Sequence, residues 1–183
     1  VAPDPRDHPR DHWAAMERRY GTIVVAEWCA ELITGRIEAD DPDHPALTIL
    51  GGGSYIQRIR SGVSPDYWVR VWAARALLYL WDESATPAVI SGLSDEHWRV
   101  REMCAKVCRL RELGAAGDQL AALVTDETPR VRAAAIRALA VVGEAEHAEA
   151  VRSALGDPEP AVVEVTEAAL GAMSARLDRD LSG

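Results

Sequence analysis

SPDYWVRVWAARALL (64–78), SDEHWRVREMCAKVC (94–108), TDETPRVRAAAIRAL (125–139) and GDPEPAVVEVTEAAL (156–170) are variations on one pattern. Val69, Val100, Val131 and Val162 fall 31 residues apart, as do Arg70, Arg101 and Arg132, and Asp95, Asp126 and Asp157. Leu77, Cys108, Leu139 and Leu170 keep the same step, and so do Val89, Leu120 and Val151, and Leu93, Val124 and Leu155. A fixed period of this length marks one supersecondary unit stacked repeatedly, because a single unit cannot bury its own apolar face.

Each period reads as an Asp, a few polar or Pro residues, Val-Arg, and then about ten residues with apolar positions at helical spacing. In the third, Val131, Ala135, Ala138, Leu139 and Val142 share one helical face. Asp126 or Thr125 can accept from the free N–H groups of the first turn, and Pro129 suits a helix start. Gly143 ends that helix. A second helix over about 146–155 is expected to turn Ala150, Val151, Ala154 and Leu155 inward, before Gly156-Asp157-Pro158 opens the next unit. No segment alternates with period two for long enough to make a strand, so the fold class is all-α. Small residues (Ala73, Ala74, Ala76, Ala105, Ala133 to Ala135) occupy the middle of each Val-Arg helix, where neighbouring helices must approach closely.

The D-x-x-x-x-V-R run followed by an Ala-rich helix resembles the HEAT repeat, in the short form also found in phycobilin lyases. The resemblance covers 64–170 and implies a right-handed α-solenoid of antiparallel helix pairs, with about four to five repeats at roughly 64–94, 95–125, 126–156 and 157–183. Upstream, IRSGVSPD (59–66) echoes VISGLSDE (89–96), so 41–63 reads as a degenerate repeat, interrupted at Gly51 to Gly53. Residues 1–40 read as an N-terminal helical cap, broken near Gly21, and the polar tail from 174 fits a second cap.

Nearly half of the 183 residues are apolar and about a quarter charged, which is the composition of a soluble globular chain with a real core. The longest apolar stretch, around 22–34, is broken by Glu27 and Glu31 and is too short to span a bilayer. The opening VAPDPRDHPRDHW lacks a signal-peptide core, so a cytoplasmic location is expected. A single Lys among twenty basic residues, with no Phe, suggests a GC-rich bacterial coding sequence. Cys29, Cys104 and Cys108 have no framework spacing, and Cys104 and Cys108, four apart in a helical pattern, read as small buried apolar residues.

The resemblance implies that the Asp/Arg ladder of Arg70, Arg101 and Arg132 with Asp95 and Asp126 is structural, and that the Val-Arg helices line the concave side. Positions facing out of those helices then include Trp68, Arg99 and Arg130; Trp72; and Arg75, Lys106 and Arg137. With Arg109 and Arg111, the three helices hold ten basic residues, whereas 144–183 carries nine acidic and three. A chain of net charge −9 can thus present a cationic inner wall. Trp28 and Trp72 are expected to replace Phe as core fillers.

No Ser-His-Asp arrangement, P-loop or dinucleotide fingerprint occurs, and the Gly-rich GGGSY (51–55) has neither a strand before it nor a Lys at P-loop spacing. His8, His12, His44, His97 and His147 are scattered. Glu96-His97 and Glu146-His147 run in the reverse order to the His-Glu dyads of iron-binding HEAT hydroxylases. No catalytic residue, metal or cofactor is therefore expected. The leading reading is a non-enzymatic adaptor whose concave face binds a protein or acidic peptide through Trp68, Trp72, Arg75, Trp98, Arg99, Lys106, Arg130 and Arg137. A nucleic-acid-binding protein similar to HEAT-like DNA glycosylases is the alternative, and a bilin lyase-like subunit a second one. No membrane partner is expected.

Overall fold

The computed structural model describes residues 9–38, 41, 44–50 and 52–181. Residues 1–8 and 39–40 of the expected cap, Pro42, Asp43, Gly51 and the last two residues lie outside the described residues. Eleven α-helices and no strand occur among the described residues. The chain divides into two units, Val1–Gly92 and Leu93–Gly183.

The first unit contains α1 (Pro9–Tyr20), α2 (Thr22–Ile33), α3 (Pro45–Leu50), α4 (Gly52–Arg60), α5 (Tyr67–Ala76) and α6 (Thr86–Gly92). Helix α2 is its hub, packing against α1, α3, α5 and α6. Its buried residues Val25, Ala26, Cys29, Ala30, Leu32 and Ile33 come from the apolar stretch that the sequence interrupts only with Glu27 and Glu31. Gly21 separates α1 from α2 at φ +86°, a left-handed conformation that a side chain would strain. Helices α3 and α4 pack on one another, and α3 also reaches α5.

The second unit contains α7 (Trp98–Leu110), α8 (Gly117–Ala122), α9 (Pro129–Val142), α10 (Ala148–Ser153) and α11 (Pro160–Leu177). Helix α9 lies between α7 and α11, forming a row of Val-Arg helices, while α8 and α10 pack together as a second row. Three-residue 3-10 turns flank α8 and α10 on both sides, so the second helix of each layer is short. The alanines expected at the close approaches, Ala105 and Ala133 to Ala135, are all buried. Ala154 and Val151 face inward as the pattern requires, but Leu155 is 38% exposed. Its equivalents Leu93 and Val124 are covered; among the described residues no second helix follows α11 to lie over Leu155 as α10 lies over α8.

Asp and Arg join successive layers. Arg101 donates Nε to Asp126 Oδ2 at 2.7 Å and Nη2 to Oδ1 at 3.1 Å. One layer on, Arg132 meets Asp157 in the same way at 2.6 and 2.7 Å. Each guanidinium also donates Nη1 to the carbonyl six residues earlier, Asp95 O or Asp126 O, at 2.9 Å. Each Asp accepts a third hydrogen bond at 2.8 Å, from Thr128 N or Glu159 N, at the residue just before the helix rather than in its first turn. The bond therefore shapes the entry turn, and Pro129 or Pro160 opens the helix that follows.

A histidine makes a second inter-layer tie. His147 Nδ1 accepts from Glu144 N at 2.8 Å, which leaves the hydrogen on Nε2, directed at Asp118 Oδ1 3.3 Å away. The ring lies flush on Gly117, where a Cβ would come within 2.7 Å of it. Gly117→Ala is expected to destabilise the protein by about 1–3 kcal/mol, because the buried ring is held at both nitrogens. Gly114→Ala, where a Cβ meets open space, is expected to leave the melting temperature unchanged within a degree or so.

Removing one side of an ion pair as buried as Arg132–Asp157 (side chains 12% and 6% exposed) strands the other charge, so Arg132→Ala is expected to cost about 3 kcal/mol. The Arg132 guanidinium, hydrogen-bonded to it, holds the Asp157 carboxyl below its ordinary value of 3.8. The native state then binds fewer protons than the unfolded chain, so this contribution is intact above about pH 4 and is lost as pH falls through the depressed native value. Thermal melts from pH 6 down to pH 2 check it: Asp157→Asn should lose less stability over the acid range than the wild type.

Candidate binding surface

In the first unit, Trp68 and Trp72 stand one helical turn apart on α5, half-buried, with ring centroids 6.2 Å apart and planes 25° from parallel. Tyr67 adjoins Trp68 at 5.3 Å. Arg75, one turn beyond Trp72, is exposed, and Arg70 helps line a cleft of about 520 Å³ with Leu32, Asp66 and Val69. The tryptophan in the core is Trp13, not the expected Trp28 or Trp72. Trp28 instead lies half-buried, edge-on to Tyr20 at 4.9 Å and to His44 at 5.2 Å. Spacing alone does not separate a helix face buried against a neighbour from one that is half covered, and α1 enters the core only because it packs on α2.

In the second unit, the predicted residues Trp98, Arg99, Lys106, Arg130 and Arg137 lie on α7 and α9. Trp98 is half-buried and carries two cations: Arg99 Cζ lies 4.2 Å from its ring centroid and Arg130 Cζ 5.5 Å. His97 stacks alongside at 6.0 Å while its Nδ1 accepts from Arg99 N at the start of α7. Cations held over an indole face are each worth about 0.5–1 kcal/mol at exposed sites.

Charge reading of the sequence did not single out Glu102. Its side chain is only 10% exposed, yet it accepts from Lys106 Nζ at 2.9 Å and Arg130 Nε at 3.3 Å. One carboxylate is thus shared by two of the cations assigned to the groove. The spacing Glu102–Lys106 is the familiar i,i+4 pair, whereas the link to Arg130 crosses between layers. Arg130 remains 68% exposed, so its remaining N–H groups reach solvent. Arg137 is exposed and pairs with no acid among the described residues.

Two clefts open along this row. One, of about 520 Å³, is lined by Glu102, Lys106, Arg130, Arg137, Glu159 and Val162 among others. The other, of about 380 Å³, has an alanine and valine floor from α9 and α11, with Arg109 and Arg137 at its edge.

No group of three or more His, Cys, Asp and Glu side chains that could hold a metal ion occurs among the described residues. Cys29, Cys104 and Cys108 are free and buried, and burial pushes the Cys29 and Cys108 thiols up to about 12. Cys104 is raised for the same reason, with Cys108 adding to it. Among the described residues, no helix is long and apolar enough to cross a membrane.

A family model described as HEAT repeats matches residues 55–119 and 117–181, together well over half of the chain. The chain belongs to the HEAT-repeat family. Among solved structures, human deoxyhypusine hydroxylase in complex with glycerol is similar at 20% identity and a TM-score of 0.53, over 96% of this chain and 72% of that one. At that identity the likeness shows the shared helical-repeat fold alone. No curated protein matches the chain.

Because thiolates and not thiols react, the three cysteines of this HEAT-repeat protein should resist a thiol reagent at pH 8 in the folded state. All three should titrate in denaturant. One or more fast-reacting thiols in the native protein would contradict the burial described above.

Proposed function

We propose that this HEAT-repeat chain is a non-enzymatic binding module that holds an acidic segment of a protein partner, with the α7–α9–α11 row of the second unit as its main contact surface. The observation that carries this reading is the pair of guanidiniums over Trp98: Arg99 Cζ and Arg130 Cζ lie 4.2 and 5.5 Å from its ring centroid, and Arg130, though paired with Glu102, stays 68% exposed. An indole with cations held on it combines apolar area with donors of fixed direction, the composition typical of interface hot spots. Lys106 and Arg137 extend the same surface, and Glu102 fixes Lys106 and Arg130 in place rather than leaving them to sweep through solvent. In the first unit, Trp68, Trp72 and Arg75 repeat the pairing of half-buried indoles with an exposed cation and form a second contact.

Association steered by these charges weakens with salt, since exposed charges are screened beyond about 8–10 Å at physiological ionic strength. A protein partner and a polynucleotide would both show this, but only capture of a polynucleotide is abolished by nuclease.

The test is affinity capture from cell extract, with the captured proteins identified by mass spectrometry. Arg99→Ala/Arg130→Ala should reduce recovery of the partner at least tenfold, with circular dichroism and melting temperature nearly unchanged. Trp68→Ala/Arg75→Ala should reduce it less. Full recovery with both double variants, or recovery lost on nuclease treatment, overturns the proposal.

A further inference from the structure

The cations of the α7–α9–α11 row are not equivalent. Arg101 and Arg132 are used in the inter-layer clamps, Lys106 and Arg130 share Glu102, and Arg99 lies over Trp98. Arg109 and Arg137 are both exposed, and neither pairs with an acid among the described residues. These two border the smaller, apolar cleft, and Arg137 borders the larger, polar one as well. Uncompensated positive charge is therefore concentrated where the floor is least polar, at Ala140, Val141, Val165 and Ala169.

We infer that this double cleft seats one extended peptide segment in which acidic and aliphatic side chains alternate. The carboxylates meet Arg137 and Arg109, and an aliphatic side chain enters the apolar chamber between α9 and α11. This rests on the binding-module reading above and narrows it to a partner chemistry and to two residues.

Dimensions and charge both favour that occupant. The α9 residues lining the two clefts run from Pro129 to Val141, twelve steps or about 18 Å of helix. An extended chain covers that length in about five or six residues. Its successive side chains point to opposite sides, so a strand set on edge in the cleft turns one set toward the apolar chamber and the other toward the arginines. Counted over both clefts, Arg109, Arg137, Lys106 and Arg130 face Glu102 and Glu159, leaving two positive charges for the ligand to neutralise. Guanidinium forks bind carboxylates with two parallel hydrogen bonds, which gives direction as well as attraction. A bare polyanion would satisfy the arginines but leave the apolar chamber wet. A volume of about 380 Å³ accommodates an aliphatic side chain with room to spare.

The probe is a fluorescein-labelled octapeptide of alternating Glu and Leu, read by anisotropy on the full chain. Three controls accompany it: the same peptide with Gln for Glu, the same with Ser for Leu, and a labelled oligothymidylate. The Glu-Leu peptide should bind at least tenfold tighter than any control. Arg137→Ala should weaken it at least tenfold, and so should Ala172→Trp, which fills the chamber from an exposed position of α11. Arg179→Ala, at an exposed cation that lines neither cleft, should change it less than threefold. If either cleft variant lowers the melting temperature, Arg109→Ala and Ala168→Tyr replace them. Equal binding of the Ser-containing peptide or the oligothymidylate overturns the inference. So does a peptide whose affinity responds to Arg99→Ala but not to the cleft variants, although that result leaves the binding-module reading standing. No binding of any peptide counts against both.

Discussion

Register in the second unit depends on a guanidinium that binds both ends of a layer junction. Arg101 and Arg132 each close on an Asp from the next layer while holding the carbonyls of the loop that precedes their own helix. The Asp in turn accepts from the backbone of its own entry turn. A slip of one residue would take from the carboxylate both of its guanidinium donors and from the guanidinium both of its carboxylate acceptors. The resulting desolvation cost is far larger than the small packing difference between one alanine-rich register and another. The apolar columns supply most of the burial, but Val, Leu and Ala are interchangeable enough to pack in several ways. The charged clamp selects among them. A lysine could not replace the arginine, because the geometry uses three separate nitrogens in one plane.

The same constraint decides which cations remain for binding. The Val-Arg column is spent on architecture, so ligand-facing charge must come from other positions of the same helices, two residues before Arg101 and Arg132 or five after. Those positions vary between layers: Arg99, Lys106 and Arg130 are held by Trp98 or Glu102, whereas Arg137 is not. The neighbouring layer holds Arg130, through Trp98 and Glu102, whereas Arg137 pairs with no acid among the described residues. The repeat thus separates the two kinds of information along one helix, structure on the repeated face and specificity on the other.

That separation explains what was legible in the sequence. Columns such as Val100–Val131–Val162 recur, and recurrence at a fixed step needs no knowledge of neighbours, so the helix pairs could be read from spacing, while the Arg/Asp pairing followed from the family resemblance. Glu102 occurs once and its partner Arg130 is 28 residues away, so it looked like one surface acid opposing many cations. The tryptophans were misplaced for a similar reason: Trp13 is buried because of what α2 presents to it, while Trp28 and Trp72 are half covered, and no period links the three. The apolar cleft escaped notice because its floor is drawn from α9 and α11 together, and the small residues that form it read on each helix alone as packing positions.

The last described layer departs from the period. Leu155 has no following helix over it among the described residues, yet the chain does not leave the whole terminal face open. Beyond α11 the backbone turns at Asp178 in a left-handed conformation, which ends the helix. Leu181 then folds back, donating its N–H to Ser174 Oγ at 3.0 Å and accepting from Arg152 Nη2 at 3.2 Å. Its side chain is buried. One leucine and two hydrogen bonds cover part of what a full helix covers in the preceding layer. Leu155, outside their reach, stays partly exposed, so a layer that repeated the pattern perfectly without a following helix would carry more apolar surface than this one does.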